Sequence, residues 1–255
     1  MNNPENTPII HVENLSHTFA NGVRALKNIN FQARRGQFIL CTGRNGSGKT
    51  VFMRHLNALY LPTEGKVLIA GVNTRRDQAF ARRTIGMVFQ DADSQIVGQT
   101  VRQDISFGPE NLRLPREEIE LRVDKALETM ELTSLADQRP HLLSGGEKRR
   151  LAIAALLAMN PLALILDEPF SNLDYHGVRS VLRHLVRLHG EGHTIILVTH
   201  EIEKAAAHAG RMILFDKGSL VEDGEPSSVI PKVGAYGMRP FESYGQEIDS
   251  LTWLK

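Results

Sequence analysis

The segment GRNGSGKT, at residues 43–50, constrains the fold of this chain more than any other feature of the sequence. Two glycines with four residues between them, followed by Lys and Thr, form the P-loop pattern. The segment follows an apolar run at residues 38–41 and precedes a helix-like run at residues 51–59, so it lies at a strand-to-helix turn. Glycines at such a turn let backbone N–H groups surround phosphate oxygens. The pattern therefore predicts a fold that binds a nucleotide.

Each part of this turn has a predicted task in phosphate binding. The helix that begins near Ser47 directs its positive N-terminal end at the phosphates. Lys49 is expected to reach the β- and γ-phosphates, and the Thr50 hydroxyl is expected to ligate Mg²⁺. The candidate ATP-binding residues of this segment are Gly43, Arg44, Asn45, Gly46, Ser47, Gly48, Lys49 and Thr50.

The length and composition of the chain limit the alternatives. Its 255 residues suffice for one large domain or one and a half. The net charge of +1 gives no electrostatic case for binding nucleic acid. The single cysteine, Cys41, excludes an internal disulfide and suits a reducing cytosol. No apolar run approaches the length of a membrane span, and the polar N-terminus carries no signal peptide. We therefore expect a soluble cytoplasmic protein with a disordered segment at residues 1–8, for which any action at a membrane requires a partner.

The order of predicted elements describes the architecture. Strands are predicted at residues 9–12, 28–33, 65–70, 85–89, 162–166 and 194–198, and a hairpin at residues 212–223. Helices are predicted at residues 116–135, 146–159 and 177–189, whereas FGPENLRLP, residues 107–115, is predicted as a turn. This order predicts an α/β nucleotide-binding core with an α-helical subdomain inserted at about residues 91–160. The segment after residue 230 is irregular, with Phe241, Tyr244, Leu251 and Trp253 as candidate anchors.

A pair of acids ends the apolar strand in LILDEP, residues 164–169. Asp167 lies where a carboxylate can hold the shell of a Mg²⁺ ion. Glu168 points to the other side of the strand and can orient or deprotonate an attacking water. The alternative is that the two acids only cap a turn, which the P-loop upstream disfavours.

Four further features of the sequence narrow the range of functions that a P-loop leaves open. LSGGE, residues 143–147, opens a helix with Ser144, Gly145 and Gly146. The serine alone is explained as a helix N-cap, but the two glycines expose N–H groups that can bind a second phosphate. Asp174 follows in SNLD, and Gln90 and His200 each follow an apolar strand.

In this order and spacing, the motifs resemble the nucleotide-binding subunit of ATP-binding-cassette (ABC) proteins over roughly residues 9–230. The resemblance implies a P-loop NTPase cassette with a RecA-like core, an antiparallel β subdomain and the inserted α-helical subdomain, followed by a C-terminal tail at residues 231–255. It implies that Glu168, His200 and Gln90 are catalytic and that Thr50, Gln90 and Asp167 hold Mg²⁺. It further implies that Phe19, Ser144, Gly145, Gly146 and Asp174 contact ATP. Phe19 stands where the family usually has Tyr. The phenylalanine keeps a ring face for stacking on adenine but lacks the hydroxyl.

The same resemblance implies a dimer. In this family the LSGGE segment of one protomer closes on the γ-phosphate that the other protomer binds. A chain with one cassette therefore needs a second ATPase protomer, either an identical copy or a homologue.

Residues 90–115, QDADSQIVGQTVRQDISFGPENLRLP, resemble the matching region of energy-coupling-factor (ECF) transporter ATPases. The dipeptide at residues 91–92 departs from the usual Asn-Pro. The resemblance implies that ATP hydrolysis powers uptake of a vitamin or of cobalt or nickel ions at the cytoplasmic face of the cell membrane. The implied partners are a transmembrane coupling subunit and, indirectly, a substrate-binding membrane subunit. Two alternatives stay open: a cassette of another transporter type, and a soluble ABC ATPase of DNA repair or translation.

Two further expectations concern the surface. We expect Asp91, Asp93 and Asp104 to meet arginines that the coupling subunit presents, because opposite charges attract across an interface. The alternative is that these acids are turn and cap residues. The C-terminal tail is expected either to contribute to dimerisation or to pack on its own protomer.

Overall fold

The computed structural model describes residues 8–240 and 247–254. Residues 1–7 of the segment predicted to be disordered lie outside the described residues, as do the candidate anchors Phe241 and Tyr244. The strands are β1 (Ile10–Thr18), β2 (Arg24–Ala33), β3 (Phe38–Gly43), β4 (Glu64–Ile69), β5 (Val72–Asn73), β6 (Ile85–Val88), β7 (Ala163–Asp167), β8 (Thr194–Val198), β9 (Arg211–Asp216) and β10 (Ser219–Gly224). The helices are α1 (Lys49–Leu56), α2 (Gln78–Thr84), α3 (Val101–Asn111), α4 (Arg116–Thr129), α5 (Gly145–Ala158), α6 (Tyr175–Gly190) and α7 (Pro226–Val229).

The centre of the described fold is a sheet of six strands in the order β10–β9–β3–β8–β7–β6. All neighbours pair in parallel except β9 and β10, which form the predicted hairpin. Strands β3, β7 and β8 are buried along their whole length. Their sequences are apolar apart from Thr42, Asp167 and Thr194, because both faces of a parallel sheet are covered by other elements. The predicted α/β core is confirmed.

The carboxyl ends of β3, β7 and β8 meet at one edge of this sheet. In the pairing register, Val198 of β8 lies beside Cys41 of β3 and beside Asp167 of β7. The P-loop therefore leaves β3 next to the acids that end β7 and next to the segment that leads from β8 to His200. Ligands of open α/β sheets bind at this edge.

An antiparallel sheet of four strands, in the order β2–β1–β4–β5, covers one face of the central sheet. Leu15, Phe31 and Val67 from this sheet share an apolar cluster with Ile39 of β3. Phe19 directly follows β1, so this sheet holds the predicted adenine-stacking residue at its end. The structure thus contains the antiparallel β subdomain that the family resemblance implied.

Helices α3, α4 and α5 lie between β6 and β7 in the chain and pack on one another. The prediction of a turn at residues 107–115 is wrong for its first half, because α3 continues through Pro109. A proline beyond the first turn removes one helical hydrogen bond and crowds the preceding turn, which is why the local sequence favoured a turn here. Thr100 caps α3 by accepting a hydrogen bond from the N–H of Gln103 at 3.2 Å. Helix α4 ends at Thr129, before the predicted residue 135.

Asp104 does not offer its charge to a partner, which corrects the expectation from the sequence. It is 5% exposed. Its Oδ1 atom accepts hydrogen bonds from the N–H groups of Val97 at 2.7 Å and Gly98 at 2.8 Å. Asp93 pairs with Lys148 at 2.7 Å, and Asp91 accepts from the N–H of Asp93 at 3.1 Å. The alternative reading, in which these acids organise turns, is confirmed for Asp104.

The described part of the C-terminal tail packs on its own protomer. Leu251 is completely buried and shares an apolar cluster with Ile230 and Val233. The indole of Trp253 lies 4.6 Å from the ammonium of Lys204 and 5.3 Å from the ring of Tyr175. Of the two expectations for the tail, these contacts support packing on the same protomer.

Candidate functional site

The P-loop has the backbone shape that the sequence predicted. Gly43, Gly46 and Gly48 have φ angles of 139°, 78° and 108°, a range that residues with a Cβ rarely adopt. A Cβ atom at Gly43 would also collide with the carbonyl oxygen of Phe215. The loop can therefore curl tightly at the end of β3 only because glycine occupies these positions.

Lys49 lies at the centre of the loop and begins α1. The helix starts two residues later than the predicted Ser47, with Gly48 at the N-cap. The Lys49 ammonium is buried and donates hydrogen bonds to the carbonyl oxygens of Gly43 at 2.7 Å and Arg44 at 3.1 Å. The helix N-terminus and this ammonium place two sources of positive potential at one point. The loop can thus hold a polyphosphate.

Asp167 and Glu168 are buried beside the P-loop. The Oδ1 atom of Asp167 and the Oε2 atom of Glu168 are buried and have no hydrogen-bond partner within the part of the chain that the structure describes. Burial raises the pKa of Asp167, and a hydrogen bond from the Thr50 hydroxyl opposes that shift. Buried carboxylate oxygens without partners are costly. Oxygen atoms of this kind suit a hard cation or a bound water.

Glu168 is held by His200 on one side and by the backbone on the other. The Nδ1 atom of His200 lies 2.9 Å from Oε1 of Glu168. The N–H of Glu168 donates to the carbonyl oxygen of Val198 at 2.8 Å. Glu168 has a φ angle of +48°, and such backbone strain in a non-glycine residue is concentrated at functional sites. The structure thus brings together two of the three residues predicted to be catalytic.

These residues open into one cleft of about 630 Å³, a typical size for a small-molecule site. The sequence-predicted residues that line it are Phe19, Asn45, Gly46, Ser47, Gly48, Lys49, Thr50, Gln90, Glu168 and His200. Gln90, the third predicted catalytic residue, therefore faces the same space. Gly43, Arg44 and Asp167 do not line it.

Six lining residues were missed as part of the site: Val23, Arg24, Ala25, Val51, Lys217 and Gly218. The N–H of Gly218 donates to the carbonyl oxygen of Ser47 at 2.9 Å. A Cβ atom at Gly218 would lie 2.6 Å from the carbonyl oxygen of Ala25 in β2, so the turn between β9 and β10 is bonded to the P-loop and fits closely against β2. The sequence signalled the turn, but its contact with the P-loop is a tertiary feature that no local pattern carries.

The LSGGE segment lies in a second cleft, of about 450 Å³, which Ser144, Gly145, Gly146 and Asp174 line. No residue of the P-loop lines it. Ser144 and Glu147 form a capping box at the start of α5, and Asp174 caps α6 by accepting from the N–H of Gly177 at 2.7 Å. The helix-cap reading of Ser144 is therefore correct as local structure. Within one protomer, the two sets of predicted ATP-binding residues are apart.

Comparison with known proteins identifies the family. The family model described as ABC transporter matches residues 26–171. The energy-coupling factor transporter ATP-binding protein EcfA1 of Caldanaerobacter subterraneus subsp. tengcongensis is 43% identical, over 88% of this chain and 83% of its own length. The cobalt import ATP-binding protein CbiO of Rhodobacter capsulatus is 40% identical, over 92% of this chain and 86% of its own length.

Solved structures agree in fold. CbiO1 of Clostridium perfringens, described as part of the ABC transporter complex CbiONQ, superposes with a TM-score of 0.81 at 38% identity, over 87% of this chain and 90% of that chain. The ATP-binding cassette MJ0796, in a dimeric post-hydrolysis state bound to ADP and Pi, superposes with a TM-score of 0.75 at 30% identity, over 85% of this chain and 98% of that chain. Together with the P-loop cleft and the buried acids, these matches show that the chain belongs to the ABC transporter family and is an ATPase of that family.

Proposed function

We propose that the chain is the ATP-hydrolysing subunit of an ECF-type importer, which takes up a vitamin or cobalt or nickel ions. This proposal rests on two similar proteins. One is named as an energy-coupling factor transporter ATP-binding protein and the other as a cobalt import ATP-binding protein. Within this proposal, residues 9–230 form the ATPase domain, with the helical subdomain at about 91–160, and residues 231–255 form the tail.

The P-loop cleft is proposed to bind ATP with Mg²⁺. Residues 43–50 hold the phosphates, and Phe19 stacks on adenine. Asp167, Thr50 and Gln90 are proposed to hold the ion, because the unpartnered buried oxygen of Asp167 and the Thr50 hydroxyl are hard oxygen ligands. When bound, Mg²⁺ neutralises negative charge on the phosphate oxygens.

Glu168 is proposed to position the attacking water and to accept its proton. The 2.9 Å contact with His200 engages the Oε1 atom, and the buried Oε2 atom has no partner among the described residues, so the carboxylate keeps an acceptor for the proton of the water. A positioned base of this kind contributes to the rate through proton transfer in the transition state. Gln90 lines the same cleft and is proposed to sense the γ-phosphate.

Each complete site is proposed to need two protomers. Ser144, Gly146 and Asp174 lie at the N-termini of α5 and α6, where backbone N–H groups attract anions. Since these residues line a cleft apart from the P-loop, the nucleotide that they contact would belong to the other protomer. The dimeric cassette bound to ADP and Pi supports this arrangement.

Lys49→Ala is expected to lose nucleotide binding itself. The ammonium at the centre of the loop supplies the positive charge for the β- and γ-phosphates. Equilibrium binding of a fluorescent ATP analogue tests this, with Lys66→Ala as the matched control, because Lys66 forms a surface ion pair with Glu13 at 2.9 Å. Unchanged affinity in Lys49→Ala would remove the P-loop from its assigned role.

The proposed docking surface for the membrane subunit is a mainly apolar groove, with Asp104 in its lining. Val97 is 61% exposed and Phe107 is 52% exposed, and both line a groove with Ala155 and Met159 of the α5 region. The hydrogen bonds from Val97 and Gly98 to Asp104 hold one wall of this groove. An amphipathic helix of the coupling subunit would bury its apolar face here.

Phe107→Glu is expected to abolish co-purification with the membrane subunits and uptake, while ATP binding by the isolated subunit persists. The change places a charge in an apolar contact, where it has no partner. Leu121→Glu is the matched control, because Leu121 is 69% exposed on α4 and does not line the groove. Full assembly and uptake by Phe107→Glu would reject this docking surface.

The proposed location is the cytoplasmic face of the cell membrane, as a peripheral subunit. None of the helices in the described part of the chain is long and apolar enough to cross a bilayer.

Reconstitution with candidate membrane subunits tests the importer against its alternatives. ATP-dependent uptake supports the ECF assignment, whereas failure of every such combination would favour another transporter type or a soluble ABC ATPase.

A further inference from the structure

Helix α5 is bonded directly to the segment that carries Gln90. The guanidinium of Arg149 donates one hydrogen bond to the carbonyl oxygen of Phe89 at 2.7 Å and one to that of Gln90 at 2.8 Å. The adjacent Lys148 forms an ion pair with Asp93 at 2.7 Å. Two neighbouring cations of α5 therefore hold residues 89–93 at two points.

Burial of the charged Arg149 side chain costs desolvation free energy, which apolar packing alone would not offset. The side chain is 4% exposed, and a buried cation needs hydrogen-bond partners to offset its desolvation. Burial lowers the pKa of Arg149, and the carboxylates of Asp91 and Asp93 oppose that shift. The planar fork of a guanidinium suits two neighbouring acceptors, so the contact specifies the position of the Gln90 backbone.

The same helix begins at the LSGGE segment. Arg149 lies five residues after the N-cap Ser144, which is about 7.5 Å along a helix axis. A helix of this length moves as a rigid unit over one and a half turns. A displacement of the LSGGE end of α5 therefore reaches the Gln90 segment through Arg149.

We propose that Arg149 is a positioning residue that links the LSGGE contact of a protomer to Gln90 in the cleft of the same protomer. This rests on the two-protomer site of the proposed function. When LSGGE closes on the partner's nucleotide, Arg149 sets Gln90 for the protomer's own nucleotide. A link of this kind makes turnover at one site depend on occupancy of the other, so hydrolysis is cooperative in ATP.

The test compares Arg149→Lys with the wild type in the full chain. Lysine keeps the cation but has a shorter side chain and no planar guanidinium fork, so it does not reproduce both contacts of Arg149. We expect turnover to fall by roughly tenfold, in the usual range of a coupling between sites, with the ATP dissociation constant within about twofold and the Hill coefficient of hydrolysis reduced to about 1. Hydrogen exchange at the amides of residues 89–93 is expected to rise.

Arg122→Lys is the matched control. Arg122 also donates to a backbone carbonyl at the end of α5, that of Ala158 at 3.3 Å, but it is far along the helix from Gln90. We expect its turnover, Hill coefficient and exchange at residues 89–93 to match the wild type. Equal losses in the two variants would overturn the proposal, as would wild-type turnover and cooperativity in Arg149→Lys or a wild-type Hill coefficient of 1.

Gln90→Ala separates failure of this proposal from failure of the proposed function. Wild-type turnover in Gln90→Ala would remove Gln90 from the catalytic set and the Arg149 link with it. Impaired turnover in Gln90→Ala together with unimpaired Arg149→Lys would reject the link alone. Impairment of both, with faster exchange at residues 89–93 only in Arg149→Lys and not in Arg122→Lys, supports the link.

Discussion

Glu168→Gln is expected to bind ATP normally and to hydrolyse it about 10²–10⁴-fold more slowly than the wild type, because the change removes a general base. Glutamine keeps the size of the side chain and can still contact His200, which lies 2.9 Å away in the wild type. The lost function is acceptance of the proton from the attacking water. The variant should therefore accumulate as an ATP-bound dimer.

Steady-state hydrolysis and size-exclusion chromatography with ATP test this expectation together. Glu191→Gln is the control, because Glu191 forms an exposed ion pair with Arg187 and lies outside the cleft. Near wild-type hydrolysis by Glu168→Gln would exclude Glu168 as the base. Loss of ATP affinity in that variant would instead show that the carboxylate acts in binding.

Ser144→Arg is expected to bind ATP as a monomer and to lose hydrolysis. Ser144 caps α5, and its backbone and side chain both contact Glu147. A long cationic side chain at this exposed helix end would hold two protomers apart. The measurements are ATP affinity, dimer formation and turnover of the same preparation.

Loss of the helix cap must be separated from this steric effect. Removing a serine N-cap costs about 1 kcal/mol of stability, so Ser144→Ala serves as the comparison. We expect Ser144→Ala to retain dimer formation with ATP, since it lacks the cap but adds no bulk. Equal loss of dimer formation in both variants would attribute the effect to the cap.

Much of the catalytic cleft could be predicted because its residues follow buried parallel strands. The apolar runs of β3, β7 and β8 are followed at their carboxyl ends by the P-loop, by the acid pair and by the segment to His200, so each motif begins at the same edge of the sheet. The ends of these apolar runs therefore predict which residues lie together at this edge. The contact between Glu168 and His200 follows from that geometry.

The helical subdomain was predicted less well because its decisive contacts are tertiary. Pro109 favoured a turn, but α3 is held by its cap at Thr100 and by packing on α5. Asp104 is a charged residue of a type that usually lies on the surface. It is nevertheless buried and accepts hydrogen bonds from the N–H groups of Val97 and Gly98. Burial of a single charged residue cannot be read from its neighbours in the chain.

The most direct test of the shared site is a mixture of Ser144→Arg with Lys49→Ala. In a heterodimer of the two, one site carries both lesions and the other carries none. Random pairing of equal amounts makes about half of the dimers mixed, each with one intact site, so independent sites would give about a quarter of wild-type hydrolysis. We expect less than this quarter but more than either variant alone, because the lost second closure no longer sets Gln90 through Arg149. Each variant alone should be inactive. Hydrolysis by the mixture no greater than that of either variant alone would contradict nucleotide sites that are shared between protomers.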